Sequence, residues 1–307
     1  MIQEHIIIGQ GTDYPLKGLL TIPEGAGPFP AVVLVHGSGS SNMDEKVGKL
    51  TPFRDIALGL AERGIASIRY DKRSFAHGMK LLRSGTVITV WEETIEDALL
   101  AAALVRADRR IDAERVFLAG HSMGGMLVPR IECAGGDFRG LILLAGTPRR
   151  LEEVLLEQTE EITAGLSGIA GWIGRKQLAR LRDSFAGLYE MTDREAKAKK
   201  LGGGTTLYYF QEMGQPTAAD WLARTNKPML VMQGEQDLQV KPEVDFALYQ
   251  KLLGDRDNVT FKLYPGLNHA FVSARFRSIA QAKKEFTPER HIGAQVLDDI
   301  ANWIMMQ

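Results

Sequence analysis

The sequence predicts an α/β fold, with a mostly parallel, twisted sheet of about eight strands, helices on both faces and a helical insertion. Short, continuous apolar runs alternate with helical segments, which is typical of a parallel sheet that is buried on both sides. The first two strands are close in sequence and joined by a turn, as in an antiparallel hairpin. The alternation then stops between residues 148 and 226, where only helical patterns occur.

Length and composition fit a globular protein with one large core. With 307 residues, the chain can bury a substantial core and also carry an inserted subdomain. Apolar residues make up 45% and charged residues 24%, and the 37 basic and 38 acidic residues are well mixed. Nucleic acid and an anionic membrane are therefore not expected partners. No segment reaches the ~20 apolar residues that a membrane-spanning helix needs.

The single cysteine and the N-terminal sequence predict a cytoplasmic location. Cys133 has no partner for an internal disulfide, which fits a reducing compartment. We expect its side chain to be buried in the core, on the helix that follows Ser122. The first eight residues lack a basic start and a long apolar segment, so they predict a strand rather than a signal peptide.

The first half of the chain contains five predicted strands. Residues 4–8 and 17–22 form the hairpin, which is expected at an edge of the sheet. Residues 31–35 are a continuous apolar run, so this strand is expected to be buried on both faces. Residues 65–70 and 116–119 are two further strands of the parallel part.

Two helices in this half are marked by their N-terminal signals. Thr51 and Pro52 place an N-cap before a proline, and the helix is expected to run to about Arg63, before Gly64. Thr89 and Glu92 have the spacing of a capping box, which predicts the start of a long helix that ends near residue 107.

The second half continues the alternation on either side of the insertion. Three more buried strands are predicted, at residues 141–145, 228–233 and 259–264. Two more helices are predicted, at residues 242–253 and 289–305. The core domain therefore comprises residues 1–147 and 227–307, and residues 148–226 form a helical cap that contains a glycine loop at 202–204.

Gly120-His121-Ser122-Met123-Gly124 stands between a predicted strand and a predicted helix. A serine in G-x-S-x-G at such a tight turn has strained backbone angles and an open hydroxyl, which is typical of a catalytic nucleophile. Glycines at positions 120 and 124 leave room where the strand and the helix cross. The pentapeptide alone also fits a structural, glycine-rich turn with a capping serine. Motifs elsewhere in the chain are needed to distinguish this turn from a catalytic one.

An acid and a base follow later strands of the same sheet. Asp237 comes after the strand at 228–233, and His269 comes after the last strand. The carboxyl ends of parallel strands meet at one edge, and the order Ser, Asp, His is the one expected for this turn. His269 would accept the Ser122 proton, and Asp237 would hold the imidazole in the required tautomer. Glu235 is the alternative acid, and Asp237 is preferred.

Two backbone N–H groups are predicted to stabilise the oxyanion of a tetrahedral intermediate. Met123, directly after the nucleophile, supplies one. Ser38 (or Gly37), in the small-residue loop after the strand at 31–35, supplies the other.

Other polar residues near these motifs are expected to be structural. His36 and His121 flank the motif glycines, and Asp71 and Arg73 are expected to form an ion pair near the site. No metal is expected, because no group of His, Cys or Asp residues has the spacing of metal ligands.

Six short motifs between residues 31 and 271 together resemble a known family. They lie at residues 36–39, 69–73, 120–125, 143–146, 233–237 and 264–269. This set resembles the α/β-hydrolase superfamily, and specifically its bacterial dienelactone-hydrolase-like serine esterases. The resemblance implies hydrolysis of a small-molecule carboxylic ester through an acyl-enzyme, without a cofactor. Dienelactone hydrolases proper use a cysteine nucleophile, whereas this chain has Ser122.

We expect a serine esterase that acts on short or medium acyl chains, with the cap shaping its pocket. An acyltransferase, a thioesterase or a serine peptidase would use the same three residues. A ligand-binding protein that keeps the fold without catalysis is the alternative from a different class. Dehalogenases and epoxide hydrolases of this fold use an aspartate at the turn, so Ser122 argues against both. The natural substrate and a homodimer are left open.

Overall fold

The computed structural model describes residues 1–202 and 204–307, and within them the central sheet has eight strands. A separate two-stranded ribbon lies in the insertion. In chain order the strands are β1 Ile2–Ile8, β2 Leu16–Ile22, β3 Phe29–Val35, β4 Ala66–Tyr70, β5 Ile111–His121, β6 Leu141–Leu144, β7 Lys200–Gly202, β8 Thr205–Thr206, β9 Met229–Gly234 and β10 Val259–Tyr264. The predicted glycine loop at 202–204 includes Gly203, which lies outside the described residues.

The order of the strands brings several carboxyl ends to one edge of the sheet. Across the sheet the order is β1-β2-β4-β3-β5-β6-β9-β10. The pairs β1–β2 and β2–β4 are antiparallel, which confirms the predicted hairpin, and the other neighbours are parallel. The loops that leave β3, β4, β5, β9 and β10 therefore begin at the same edge, where α/β sheets bind ligands.

Helices cover both faces of the sheet, as predicted. In chain order they are α1 Pro52–Glu62, α2 Arg73–Ser84, α3 Glu96–Arg106, α4 Met123–Ile131, α5 Leu151–Ala164, α6 Gly168–Phe185, α7 Asp193–Ala198, α8 Leu207–Gly214, α9 Ala218–Ala223, α10 Ala247–Leu253, α11 Ala282–Glu285 and α12 Ala294–Met306. Short π-helical turns precede α3 and α10 and follow α4. No described helix has both the length and the apolar character that crossing a bilayer requires.

The two faces of β3 show how the core is divided. Val33 and Val35 pack in a cluster with residues of α3 and α4, whereas Val32 and Leu34 pack with residues of α1 and α12. All four side chains are fully buried. Alternate residues of a strand point to opposite faces, so a continuous apolar run is what a sheet covered on both sides requires.

The segment between β6 and β9 is mainly helical and packs onto the core. It contains α5 to α9 and the β7–β8 ribbon. Tyr209 and Phe210 from α8 and Leu222 from α9 belong to the same buried cluster as the residues of α3 and α4. The insertion is therefore anchored to the face of the sheet that carries α4.

Several boundaries differ from those that the sequence predicts. Residues 73–84 form α2, which the apolar pattern did not predict, because Phe75 and Met79 are exposed there. Glu92 accepts a hydrogen bond from the Thr89 N–H at 2.8 Å, as a capping box requires. The helical segment that follows begins with a π-helical turn instead of a regular α-helix. The last helix begins at Ala294 instead of residue 289.

Candidate active site

Ser122 lies on the turn between β5 and α4, at the sheet edge that the other loops share. Its φ of 55° and ψ of −120° are strained for a residue with a side chain. Its N–H donates to the Leu144 carbonyl of the neighbouring strand at 2.8 Å, so the turn is held from the adjacent strand. The side chain is half-buried. Such strain persists only where the surroundings over-determine it, and it is frequent at functional sites.

Two glycines allow the close crossing of strand and helix on which this turn depends. A Cβ atom on Gly120 would lie 2.3 Å from the carbonyl of Gly124, and one on Gly124 would lie 2.3 Å from the carbonyl oxygen of Val35. Both neighbours are backbone atoms that cannot rotate away. Only glycine therefore fits at these two positions.

His269 and Asp237 meet beside this turn, as the sequence predicts. His269 Nδ1 and Asp237 Oδ2 are 2.7 Å apart. The buried Asp237 carboxylate also accepts hydrogen bonds from the Gln233 amide at 2.6 Å and from the N–H groups of Gln239 at 2.8 Å and Val240 at 3.0 Å. Three donors besides the imidazole fix this carboxylate, so it can hold the imidazole in one orientation.

The alternative acid, Glu235, is exposed at the surface. In the described residues, no hydrogen bond joins Ser122 Oγ to His269. Catalytic hydrogen bonds are often long in an unliganded site and tighten only when substrate binds. The geometry thus pairs His269 with Asp237 and leaves the serine hydroxyl free.

Of the two candidate oxyanion donors in the loop after β3, only the Ser38 N–H has no acceptor in the described residues. The Gly37 N–H already donates to Glu45 Oε1 at 2.8 Å, so the alternative prediction of Gly37 as an oxyanion donor is wrong. The Ser38 and Met123 N–H groups donate to no other group in the described part of the chain. Both residues line the same cavity.

A buried ion pair of Glu45 with His121 links the site's loops. Glu45 Oε2 is 2.9 Å from His121 Nδ1, and His121 Nε2 donates to the His269 carbonyl at 2.9 Å. Burial alone would lower the pKa of His121, but the carboxylate outweighs it and raises the pKa to about 9. The imidazolium in turn holds the pKa of Glu45 below its usual range, against the effect of burial.

A second buried cation lies on the other side of the Gly37 peptide. Lys72 Nζ donates to the Gly37 carbonyl at 2.9 Å and is 3.6 Å from Glu93 Oε1. Glu93 Oε2 accepts a hydrogen bond from the Tyr209 hydroxyl at 2.7 Å. Burial lowers the pKa of Lys72, and the Glu93 carboxylate opposes that shift.

A cavity of about 570 Å³ opens next to Ser38 and Met123. That volume lies within the range of about 300–1,000 Å³ that is usual for small-molecule sites. Its walls come from α2 and the segment after it, and from α5 and α8 of the insertion. The apolar lining residues are Leu81, Leu82, Val87, Ile88, Leu151, Leu155, Tyr209 and Phe210.

Comparison with known proteins identifies the family. The model of the alpha/beta hydrolase family matches residues 32–282, which is most of the chain. The chain belongs to the alpha/beta hydrolase family. The chain is also 35% identical over 291 residues to Esterase EstD of Thermotoga maritima. That match covers 94% of this chain but 65% of EstD, so the chain spans about two thirds of the curated relative that it matches.

Solved structures with low sequence identity share the fold of this chain. Est1E from Butyrivibrio proteoclasticus superposes with a TM-score of 0.57 at 18% identity, over 97% of this chain and 99% of its own. Dienelactone hydrolase from Anabaena variabilis gives a TM-score of 0.56 at 16% identity, over 99% of this chain and 97% of its own. The predicted fold class is therefore confirmed.

Two predictions about residues near the site are wrong. Cys133 is exposed, because α4 ends at Ile131 and the π-helical turn after it carries the cysteine off the apolar face. Asp71 and Arg73 do not pair with each other. Asp71 accepts the Met43 N–H at 2.8 Å, and Arg73 binds carboxylates at the start of α3, those of Glu96 and Asp97.

Sequence reasoning missed three buried polar residues of the site: Glu45, Lys72 and Gln233. Lys72 follows β4 at the same edge where Asp237 and His269 follow their strands, so the rule that found those two would have found it. Gln233 is the last polar residue before the Asp237 loop and is buried at the end of β9. Glu45 lies in a long loop with no local pattern.

Proposed function

We propose that this hydrolase cleaves carboxylic esters with short or medium acyl chains through an acyl-enzyme. The observation that carries the proposal is the strained Ser122 beside the His269–Asp237 pair, whose atoms are 2.7 Å apart. The identity of 35% with Esterase EstD supports an ester as the substrate. We further propose that residues 148–226 form a cap that shapes the acyl pocket, and that the protein works in the cytoplasm.

In the proposed first step, Ser122 Oγ attacks the ester carbonyl carbon while His269 Nε2 takes the hydroxyl proton. The hydroxyl is a poor nucleophile until this base removes its proton. The imidazolium that forms is stabilised by Asp237, which stays ionised. The negative charge that develops on the carbonyl oxygen is bound by the N–H groups of Ser38 and Met123.

Collapse of the tetrahedral intermediate breaks the bond to the alcohol oxygen, which leaves with the proton of His269. The acyl group is then attached to Ser122. In the second half, His269 takes a proton from water, and the hydroxide attacks the acyl carbonyl in the same oxyanion site. The second tetrahedral intermediate then breaks its bond to Ser122 Oγ, which takes the proton back from His269 as the carboxylic acid leaves.

The proposal is tested by a fluorophosphonate probe together with a panel of aryl esters of increasing acyl length. We expect the probe to label Ser122 Oγ and the short and medium esters to be turned over repeatedly. Ser122→Ala should lose both labelling and nearly all turnover, by a factor of about 10⁶ in kcat as for other triad serines. Label on another residue, or a folded Ser122→Ala with near-normal turnover, would refute the mechanism.

Two matched variants test whether Asp237 or the nearby Glu235 is the catalytic acid. Asp237→Asn should lower kcat by about 10⁴-fold, because an amide cannot hold the same imidazole tautomer. Glu235→Gln, two residues away and exposed, should change kcat by less than about twofold. Parallel assays with thioesters, peptides and competing alcohol acceptors test the thioesterase, peptidase and acyltransferase alternatives. A protein that only binds ligands would show no repeated turnover with any of them.

A further inference from the structure

Two buried charged side chains bind the backbone of Gly37, one at each of its two peptide groups. The Gly37 N–H donates to Glu45, and the Gly37 carbonyl accepts from Lys72 Nζ at 2.9 Å. The Lys72 backbone N–H also donates to the Ser41 carbonyl at 3.0 Å, so one residue binds this loop twice. The side chain of Lys72 is 2% exposed, which makes it one of the most deeply buried charged groups of the chain.

The direction of the Ser38 N–H follows from this contact. Its peptide bond is trans, and in a trans peptide the carbonyl and the N–H point in opposite directions. Because the Gly37 carbonyl points at Lys72, the N–H of Ser38 points the other way. Ser38 lines the cavity together with Met123, and its N–H has no acceptor in the described part of the chain.

We propose that Lys72 is a positioning residue that orients and polarises the Ser38 N–H as an oxyanion donor. The inference rests on the proposed ester hydrolysis and names a residue through which that site works. A cation bound to the carbonyl oxygen draws electron density from the peptide, so the N–H at its other end becomes a stronger donor. Lys72 itself touches neither the nucleophile nor the substrate.

Burial of an ammonium group is costly, so a purely structural role would be better served by an apolar side chain. Glu93 partly compensates the charge from 3.6 Å. The closest acceptor of the ammonium is the Gly37 carbonyl, so the charge is directed at the loop that carries Ser38. A role in strengthening the Ser38 N–H as a donor during the reaction accounts for the buried charge of Lys72.

The test compares kcat, KM and the affinity for a trifluoromethyl ketone, whose serine adduct carries an oxyanion. Losing an oxyanion donor lowers kcat by about 10²–10³-fold, and Lys72→Met should weaken the donor without removing it. We therefore expect kcat to fall by about 10- to 100-fold with KM changed by less than about threefold. The ketone's affinity should fall by the same factor as kcat/KM. Lys72→Gln keeps a hydrogen-bond donor but no charge. Its kcat and its affinity for the ketone should therefore lie between those of Lys72→Met and those of the native protein.

Arg73→Met is the matched control, because Arg73 is the next residue, is similarly buried and carries the same charge. Its guanidinium binds Glu96 and Asp97 and not the Ser38 loop. Arg73→Met should lower the unfolding temperature but leave the ratio of ketone affinity to substrate KM unchanged. The proposal is overturned if the ketone's affinity is unchanged in a folded Lys72→Met, or if Arg73→Met weakens it equally.

A measurement on the native protein covers the case in which the Lys72 variants do not fold. In a crystal structure of the phosphonylated enzyme, the phosphonyl oxygen should accept from the N–H groups of Ser38 and Met123, with Lys72 Nζ still on the Gly37 carbonyl. A phosphonyl oxygen that does not contact the Ser38 N–H would refute the role of Lys72. Failure of the native protein to hydrolyse esters or to label at Ser122 would instead refute the proposed function.

Discussion

Two ion pairs lie around the residues next to Ser122: Glu45 with His121, which are both buried, and the buried Lys72 with the partly buried Glu93. Buried ion pairs are weak contributors to stability, because desolvation offsets their attraction. Here each pair also binds backbone. Glu45 accepts from the Gly37 N–H and His121 donates to the His269 carbonyl at 2.9 Å. Lys72 donates to the Gly37 carbonyl at 2.9 Å. The Glu45–His121 pair therefore connects the loop after β3, the serine turn and the loop of the candidate base.

The Glu45–His121 pair predicts a stability change at alkaline pH. The pKa of His121 is about 9 in the folded protein, against 6.5 for an unperturbed histidine. A raised pKa contributes stability that is fully present below about pH 6.5 and is lost as the pH rises through about 9. The native protein should therefore exceed His121→Asn in free energy of unfolding by up to roughly 3 kcal/mol more at pH 6 than at pH 10. Urea unfolding at the two pH values measures this difference.

Glu45→Gln is the control for this pH prediction. It keeps a side chain of the same size but removes the charge that raises the pKa of His121. Burial then dominates, and the His121 pKa should fall to 6.5 or below. If the difference between the native protein and His121→Asn is the same at both pH values, the two groups are not an ion pair in solution.

At this scale the sequence identifies the residues of the candidate site whose positions follow from local patterns. Ser122 lies in a turn motif, and Asp237 and His269 each follow a predicted strand, so sheet topology alone brings them together. The structure places the last two 2.7 Å apart. Glu45 could not be found in this way, because its contact with His121 depends on the path of the long loop between β3 and α1.

The crossing of β5, α4 and β3 is the element on which the serine turn depends. Gly124, in the first turn of α4, faces the carbonyl of Val35 at the end of β3. Any side chain at this position would push the helix away from the sheet. The strained angles of Ser122 would then lose the packing that maintains them.

Gly124→Ala should therefore lower the free energy of unfolding by about 3 kcal/mol, at the upper end of the range for overpacking. The added Cβ would lie 2.3 Å from the Val35 carbonyl oxygen, and backbone cannot rotate aside. We also expect kcat to fall, because Ser122 and Met123 move with the helix. Urea unfolding and ester hydrolysis measure the two effects.

Gly78→Ala is the matched control for Gly124→Ala. Gly78 lies in α2 directly after a kink at His77, and a Cβ built there meets no atom within 4 Å. Alanine should therefore stabilise this helix by about 0.5–1 kcal/mol, opposite in sign to the change at Gly124. If the two substitutions have the same effect on unfolding, the close crossing does not constrain the turn.

The helices and strands that the sequence predicts are those whose apolar residues face a core. All eight strands of the central sheet are found where short apolar runs indicate them. α2 was missed because only Arg73 and Leu81 are buried in it. Its apolar residues Leu81 and Leu82 line a cavity instead of a packed core, and the cavity exists only after the chain has folded.

The whole molecule contributes to the cavity beside Ser38. The core supplies α2 and the segment after it, and the insertion supplies Leu155 on α5 and Phe210 on α8. These parts are far apart in sequence, so no local sequence pattern predicts the pocket. If the cavity is the proposed acyl pocket, its volume of about 570 Å³ limits the length of acyl chain that it can enclose.

Under the proposed function, Leu155→Trp should shift the substrate preference toward shorter acyl chains. Leu155 lines the cavity and is only half-buried, so a larger side chain extends into open space instead of the packed core. Each methylene bound in an apolar pocket is worth about 1–3 kcal/mol. We expect kcat/KM for medium-chain esters to fall by at least about tenfold, and that for acetyl esters to change by less than about threefold. A chain-length series of aryl esters measures the shift.

Ile169→Trp tests whether the effect comes from the cavity or from any change in the insertion. Ile169 lies on α6 of the same segment and is 80% exposed, away from the cavity walls. The same tryptophan there should leave the chain-length series unchanged. Should Leu155→Trp fold normally and keep the native preference, the insertion would not shape the acyl pocket. Should both variants shift the preference equally, the insertion would act through its overall position on the sheet.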